Sequence, residues 1–188
     1  MKIDIPKPGA KLSDKQIDFL EALALACRRD IVEMVANAQS GHPGGSLSSI
    51  DYLCLLYAYI ISRGGEKIVV SNGHISPAVF AILAEMGYIP KDHVLKTFRK
   101  TGSIYEGHVA RHVRGVWYGT GPLGIGVSVA AAFALAEKMK KGKEKVFAVM
   151  PSRPCPIAAR VRRSRCCNWC PPAAAISRPR HSSTTACF

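Results

Sequence analysis

The stretch Ser40-Gly41-His42-Pro43-Gly44-Gly45-Ser46 organises the rest of the chain. It places one imidazole among three glycines and a proline, between two long segments with apolar periodicity. Glycine and proline end regular structure, and glycine lets the backbone approach a ligand closely. We therefore expect His42 to be presented in a turn between two helices.

Helical patterns lie on both sides of this turn. Ser13 and Gln16 have the spacing of a capping box, which predicts a helix from there to about residue 38. A second helix is predicted from Ser46 or Ser48 to residue 64. Apolar periodicity predicts further helices over residues 77–86, 90–98 and 122–140. The last of these is apolar nearly all round, which predicts burial on several faces against a sheet.

Two short β-branched segments, residues 67–71 and 146–150, predict buried parallel strands. Helices that alternate with such strands indicate an α/β domain, a parallel sheet flanked by helices. Ligands of these sheets lie at the carboxyl ends of the strands, and Ser71-Asn72-Gly73-His74 includes the last residue of the first strand and the turn after it. Residues 99–118 have no clear periodicity and predict a long loop, which in a compact domain is usually functional.

The composition changes sharply near residue 150. The 188-residue chain has a net charge of +13, and residues 151–188 hold seven arginines, no lysine and no acid, which leaves +6 for residues 1–150. Only Cys27 and Cys54 lie in the first part, inside apolar segments typical of buried structural thiols. The other cysteines lie in the tail: Cys155, Cys166, Cys167, Cys170 and Cys187. We therefore divide the chain into a domain over residues 1–150 and an Arg-, Cys- and Pro-rich tail over 151–188.

Three interpretations of this tail stay open. A shifted reading frame at residue 151 explains the loss of lysines and acids. A zinc or redox module could use Cys166, Cys167, Cys170, His181 and Cys187, although a single CxxC is a weak signal. A disordered basic arm could bind nucleic acid. The codons around residue 150 distinguish these interpretations. If restoring one base there yields Gly-Asp-Gly, the shifted reading frame is favoured.

No apolar run reaches the length of a membrane helix. The longest nearly apolar runs are residues 52–61 and 125–136, short of the roughly 20 residues required. The N-terminus also lacks the apolar core of a signal peptide. We expect a soluble, cytoplasmic protein.

Glycine-flanked histidines are the candidate chemistry. His42, His74 and His108 each lie beside glycine in a predicted turn or loop, where imidazoles can donate to phosphate or take protons, although a structural role stays open. Their spacings of 32 and 34 residues match no local zinc motif. Gly119, Gly121 and Gly124 match the dinucleotide pattern GxGxxG, but residues 111–118 are a poor strand. A turn whose backbone lies against a flat ligand is the better interpretation.

In combination these motifs resemble the N-terminal, thiamine-diphosphate-binding half of a transketolase. The matching segments are residues 40–46, 70–76 (Val-Ser-Asn-Gly-His-Ile-Ser), 96–100 (Lys-Thr-Phe-Arg-Lys), 106–108 (Glu-Gly-His) and 120–124 (Thr-Gly-Pro-Leu-Gly). The resemblance covers residues 13–150 and is nearer to the split form, whose halves are separate subunits. It implies transfer of a two-carbon ketol unit between sugar phosphates, and a homodimer assembled with a C-terminal half or subunit. The neighbouring alternative is a synthase of deoxyxylulose phosphate.

The resemblance also implies roles for individual residues. His42 would contact the reacting oxygens of the substrate and assist proton transfer, and His108 would contact a substrate hydroxyl. His74 would contact the cofactor diphosphate. Gly121, Pro122 and Leu123 would form the turn that contacts thiamine diphosphate.

The family's magnesium site is missing from this sequence. In the family the second strand runs into Gly-Asp-Gly-Glu, whose Asp ligates the Mg²⁺ that holds the diphosphate, because Mg²⁺ prefers oxygen ligands. Here Pro151-Ser152-Arg153-Pro154 follows, and no Asp or Glu occurs after Glu144. We therefore name no metal ligand and expect the isolated chain to be inactive and to leave a sheet edge and an apolar helix uncovered. The alternative function is a non-catalytic binding protein with a basic nucleic-acid-binding tail.

Overall fold

A computed structural model describes Pro6, residues 10–122 and 124–150, and the backbone of Ala186–Cys187. Along the chain the elements are α1 (Asp14–Ala38), α2 (Pro43–Arg63), β1 (Lys67–Val70), a 3-10 helix (Gly73–Ile75), α3 (Ser76–Glu85), α4 (Lys91–Thr97), α5 (Ile125–Met139), β2 (Val146–Val149) and β3 (Ala186–Cys187). The three interpretations of the tail, and Leu123, lie outside the described residues.

The first helix begins and ends as its sequence predicts. Ser13 is its N-cap residue, and the backbone N–H of Ser13 donates to Oε1 of Gln16 at 2.9 Å, which completes the capping box. The helix ends at Gln39, whose φ of 49° lies in the left-handed region. The capping-box prediction is confirmed.

The start predicted for the second helix is wrong by about one turn. α2 begins at Pro43 and not at Ser46 or Ser48, because proline is well suited to the first helical position, where no N–H donor is needed. His42 is therefore the N-cap residue, and Ser46 already donates its hydroxyl to the His42 carbonyl at 3.2 Å. The glycines after Pro43 form the first turn of the helix and do not extend the loop.

The sheet brings the two predicted strands together. β1 and β2 pair in parallel, with Ile68 opposite Phe147 and Val70 opposite Val149. These four side chains join one core with helices α1 to α4. Val69 alternates with them and faces the other side of the sheet, where α5 lies. The order is β1-β2-β3, and β3 pairs antiparallel with β2, which adds one antiparallel strand to the predicted parallel sheet.

The helices α1 to α4 form a packed layer over one face of this sheet. α3 lies at its centre, and its residues from Ser76 to Ala84 are all buried. Cys27 and Cys54 are fully buried free thiols in the same core, as their apolar segments predict. The segment between α4 and α5 is irregular throughout its described residues, which confirms the predicted loop.

The prediction that the last helix is buried on several faces is wrong. Only Gly126 and Ala130 of α5 are buried, whereas Leu135 and Met139 are 58% and 77% exposed. The helix contacts β1 and β2 along one side, and within the described residues no second helix lies beside it. Its apolar residues continue around the helix, but the described residues leave most of them uncovered.

The expectation that no apolar segment reaches the length of a membrane helix is wrong for one described helix, because α2 is long and apolar enough to cross a membrane by length and composition. Its residues Ile50, Leu53 and Cys54 are fully buried among the other helices. α2 is packed here as a core helix.

Candidate functional site

Three histidines that are far apart in sequence meet at one end of the sheet. His42 precedes α2, His74 lies in the 3-10 helix after β1, and His108 lies in the loop between α4 and α5. The ring centroids of His42 and His74 are 4.9 Å apart, and those of His74 and His108 are also 4.9 Å apart. The rings meet edge to face, at 87° and 68°. The three glycine-flanked imidazoles singled out in the sequence therefore form one cluster, which we call the histidine cluster.

Gly73 makes this convergence possible. A Cβ atom at Gly73 would lie 2.5 Å from Cδ2 of His108 and would also collide with the hydroxyl of Thr120. The N–H of Thr120 donates to the Val109 carbonyl at 3.0 Å, which joins the glycine-rich turn to the His108 loop. The missing side chain at Gly73 therefore lets two loops close over the end of β1.

Two buried hydroxyls beside the histidine cluster have no hydrogen-bond partner in the described structure. They are Oγ of Ser71, directly after β1, and Oγ1 of Thr120. A buried hydroxyl without a partner costs about 1–3 kcal/mol, so such groups usually meet a ligand or a water molecule. Their position favours a polar ligand at this end of the sheet.

His74 is the central imidazole of the cluster. Burial lowers its pKa below the usual value, and the neighbouring His108 and His42 lower it further. Near neutral pH the ring is therefore uncharged and has one N–H donor and one acceptor nitrogen. A neutral donor of this kind can bind a phosphate oxygen without carrying a full positive charge.

The predicted cofactor turn is open to solvent. Gly121 and Pro122 are exposed, and a Cβ atom at Gly121 would meet nothing within 4 Å. Leu123 lies outside the described residues. Gly124, with a φ of 90°, is the N-cap residue of α5. Gly126 lies so close to Ser71 that a Cβ atom there would be 2.7 Å from the Ser71 Cα. This turn therefore borders the end of β1, where a flat ligand has free access to its backbone.

The other candidates separate from this cluster. Nε2 of His112 lies 2.9 Å from the Ile104 carbonyl, and the His93 ring contacts Tyr105, so neither belongs to the cluster. His181 lies outside the described residues. Residues 98–118, directly before Gly119, contain no strand, which removes the context that dinucleotide binding requires. The structure places the three predicted histidines and the exposed turn at one end of the sheet.

Comparisons with known proteins show the family of this chain. Residues 20–147 match the family described as "Transketolase, thiamine diphosphate binding domain". The chain belongs to the transketolase family. One relative is a subunit of the apulose-4-phosphate transketolase of Phocaeicola vulgatus, 35% identical over 143 residues. Another is the transketolase of Treponema pallidum, 36% identical over 131 residues. These matches cover 72% and 65% of this chain.

Solved transketolase structures share the fold. The transketolase of Campylobacter jejuni superposes with a TM-score of 0.65 at 31% identity, over 71% of this chain and 23% of that one. The transketolase of Leishmania mexicana gives 0.58 at 32% identity, over 63% of this chain and 19% of that one. The chain spans about half the length of the Phocaeicola relative and 20% of the Treponema one. It therefore corresponds to an N-terminal part of a transketolase.

The described residues fit thiamine diphosphate but not Mg²⁺. The unpaired hydroxyls, the neutral His74 and the open backbone at Gly121 suit a diphosphate and a flat ring. Among residues 10–122 and 124–150, no three His, Cys, Asp or Glu side chains are placed to hold a metal ion. The sequence after β2 offers no carboxylate either.

Sequence reasoning missed the residues that close the site. Gly73, Ser71 and Thr120 lie within the quoted motifs, yet no role was predicted for them. Gly73, directly before His74, could have indicated this contact, because a glycine often lies where another part of the chain or a ligand approaches the backbone closely. The partners that approach Gly73 come from a loop more than thirty residues away, so periodicity could not reveal them.

Proposed function

We propose that this chain is the N-terminal, cofactor-binding part of a transketolase. The assembled enzyme, a homodimer that includes a C-terminal half or subunit, would transfer a two-carbon ketol unit between sugar phosphates. The observation that carries this proposal is the histidine cluster around Gly73, in a chain that matches the thiamine-diphosphate-binding domain of the family. We place the enzyme in the cytoplasm and in the pentose phosphate pathway.

Thiamine diphosphate would supply the chemistry that breaks and forms carbon–carbon bonds. The chain's own side chains would bind and orient. His74 would donate its N–H to the diphosphate, since its lowered pKa keeps the ring neutral near pH 7. His42 and His108 flank it and would hold or move protons at the oxygens of the sugar substrate. Gly121 and Pro122 would face the cofactor ring.

Magnesium belongs to this proposal only for the assembled enzyme, since the described residues do not fit it. We therefore expect little or no ketol transfer from this chain, whether it is alone or mixed with a C-terminal subunit, Mg²⁺ and thiamine diphosphate. Appreciable transfer in that mixture would contradict the expectation that the chain cannot work without a metal site of its own.

Cofactor binding can be tested on the full chain itself. We expect thiamine diphosphate to shift the ring C–H NMR signals of His74 most, and thiamine without the diphosphate to shift them less. The variant His74→Ala should weaken diphosphate binding about tenfold, the loss expected for one hydrogen bond to a charged group. The matched control is His112→Ala, which removes an imidazole outside the cluster. No shift at any of the three clustered histidines would overturn the proposal.

A further inference from the structure

A cavity of about 120 Å³ lies at the opposite end of β1 from the histidine cluster. Residues 64–66, which join α2 to β1, form part of its wall, and the loop between α4 and α5 contributes Gly115 and Trp117. Ser71 and the histidine cluster follow the other end of the strand. The cavity is therefore separate from the candidate cofactor site.

The walls of this cavity are mainly apolar and aromatic. Ile60 and Leu83 are buried residues of the wall, and the side chains of Tyr57, Tyr88 and Trp117 also line it. A cavity of about 150 Å³ with apolar walls is large enough to bind benzene. The volume found here therefore suits a ligand with a single six-membered ring.

Tyr57 adds a polar group to this apolar wall. The residue is only 3% exposed, and its hydroxyl has no hydrogen-bond partner among the residues that the structure describes. Burial raises the pKa of Tyr57 above its usual value, so the hydroxyl keeps its proton and remains a donor. By contrast, the hydroxyl of Tyr59 donates to Oε1 of Glu66 at 3.4 Å. A buried hydroxyl without a partner is unfavourable, so such a group usually meets a ligand or a water molecule.

The charges around the cavity favour an uncharged ligand. The guanidinium of Arg114 lies 5.3 Å from the ring centre of Tyr88, and Nζ of Lys67 lies 5.8 Å from that of Trp117. A cationic ligand would meet these like charges. An anionic ligand would meet Glu66, which lines the cavity and whose Oε2 is buried without a hydrogen-bond partner in the described part of the chain. A neutral ligand that carries a hydrogen-bond donor suits both surroundings.

We propose that this cavity binds a small uncharged aromatic alcohol, a single ring with one hydroxyl group such as phenol. The ring packs against Ile60, Leu83 and the aromatic side chains of the wall. The ligand hydroxyl accepts a hydrogen bond from Tyr57 and donates one to the carboxylate of Glu66. This inference is independent of the proposed function, because none of these residues belongs to the histidine cluster or to the glycine-rich turn.

The test follows the ring C–H NMR signals of Tyr57 and Trp117 in the full labelled chain during titration with phenol or with toluene, which has the same shape and no hydroxyl. Phenol should bind about fivefold more tightly than toluene, as expected for one neutral hydrogen bond. Tyr57→Phe should remove this difference and leave toluene binding unchanged. The matched control is Tyr105→Phe, which removes the hydroxyl of a buried tyrosine outside the cavity and should leave both affinities unchanged.

A second variant and a stability measurement extend this test. Ile61 lines the cavity and is half-buried, so Ile61→Trp should fill the space and weaken the binding of both ligands. Without ligand, the urea midpoint of Tyr57→Phe should equal or exceed that of the unaltered chain, because the variant loses a hydroxyl that has no partner. A lower midpoint would assign the hydroxyl to a structural water molecule and overturn the inference.

Three further results would overturn the inference. The first is the absence of phenol-induced shifts at Tyr57 and Trp117. The second is equal affinity for phenol and toluene, or an equal effect of the two tyrosine variants. The third is tighter binding of benzylammonium or benzoate than of phenol, because either result would contradict the preference for an uncharged ring. The signals of His74 should not respond to phenol, and shifts there as large as those at Tyr57 would show that phenol does not select this cavity.

Discussion

The two faces of the small sheet differ in how completely they are covered. On one face α3 lies among other helices, and its residues from Ser76 to Ala84 are all buried. On the other face α5 is just as rich in apolar residues, yet only Gly126 and Ala130 are buried. The apolar composition of both helices predicts burial. Only α3 is buried, because other helices pack around it.

This difference also concerns the site. The histidine cluster is built from loops that α2 and α3 hold in place, on the completely covered side. The exposed turn at Gly121 and the start of α5 belong to the side that is open. The part of the candidate site that lies on the packed layer is therefore supported by several helices. The part beside α5 is supported mainly by the contacts of α5 with β1 and β2.

The largest expected effect compares a core residue of each helix. Phe80 on α3 is fully buried against Phe98 and Tyr105, so Phe80→Ala should cost about 3–5 kcal/mol of unfolding free energy. Leu135→Ala on α5 removes a mostly exposed side chain and should cost less than about 0.5 kcal/mol. Urea unfolding of both variants measures this. Equal losses would mean that α5 is covered after all.

A smaller effect is expected where α5 is seated on the sheet. Gly126→Ala places a Cβ atom 2.7 Å from the Ser71 Cα, and moving this backbone should cost about 1–3 kcal/mol in spite of the better helix propensity of alanine. Gly44→Ala is the matched control, since nothing lies within 4 Å of a Cβ atom there. A stabilised Gly126→Ala variant in urea unfolding would show that α5 can move away from β1 without loss.

The pH dependence of stability tests the ion pairs of the packed layer. Asp30 on α1 is buried, its Oδ1 lies 2.9 Å from Nζ of Lys91, and Lys91 also pairs with Glu85. Burial raises the pKa of Asp30 from 3.8 to about 6, partly opposed by Lys91, and Glu85 raises it further. Between these two pKa values the folded state holds a proton on Asp30 that the unfolded chain has released. The free energy of unfolding should therefore fall as the pH rises from about 4 to about 6.

The variant Asp30→Asn should remove most of this fall in the free energy of unfolding with pH. The difference from the unaltered chain should be on the order of 1–2 kcal/mol. Asp51→Asn is the control, because Asp51 is exposed and pairs with Arg28 at the surface. Denaturant melts at pH 4, 5, 6 and 7 give the comparison. The same slope in Asp30→Asn and in the unaltered chain would exclude Asp30 as its source.

The smallest effect on stability is expected at the outer face of α5. Leu135→Glu combined with Met139→Glu should change the unfolding free energy by less than about 0.5 kcal/mol, since both side chains are largely exposed. The same variant should lower the tendency of the chain to self-associate, because exposed apolar patches promote association. Light scattering as a function of concentration measures this. Unchanged light scattering would mean that the chain does not self-associate through the outer face of α5.

Much of the fold and of the site could be predicted from the sequence. The capping box at Ser13 located α1, and the β-branched segments located the two strands, because these signals act over a few residues. The histidines of the cluster were found because glycine beside each of them marked a turn.

Long-range packing accounts for what the sequence did not predict. The exposure of α5 depends on neighbours, which periodicity within one helix cannot report. The role of Gly73 depends on His108 and Thr120, which lie close to it only after folding. The start of α2 was misplaced because glycines after Pro43 suggested a longer turn, whereas the proline itself begins the helix.

The central claim is that residues 10–150 carry the histidine side of a transketolase site. The most direct measurement is ketol transfer by a chimera in which residues 1–150 are continued by the corresponding later part of the Phocaeicola vulgatus relative and combined with the partner subunit of that enzyme. We predict transfer with added Mg²⁺ and thiamine diphosphate, and a loss of about 100-fold or more in His108→Ala, since a positioned proton-transfer group contributes about 10²–10⁴-fold. A chimera that folds and binds its partner subunit but shows no transfer, or shows transfer unaffected by His108→Ala, would contradict this claim.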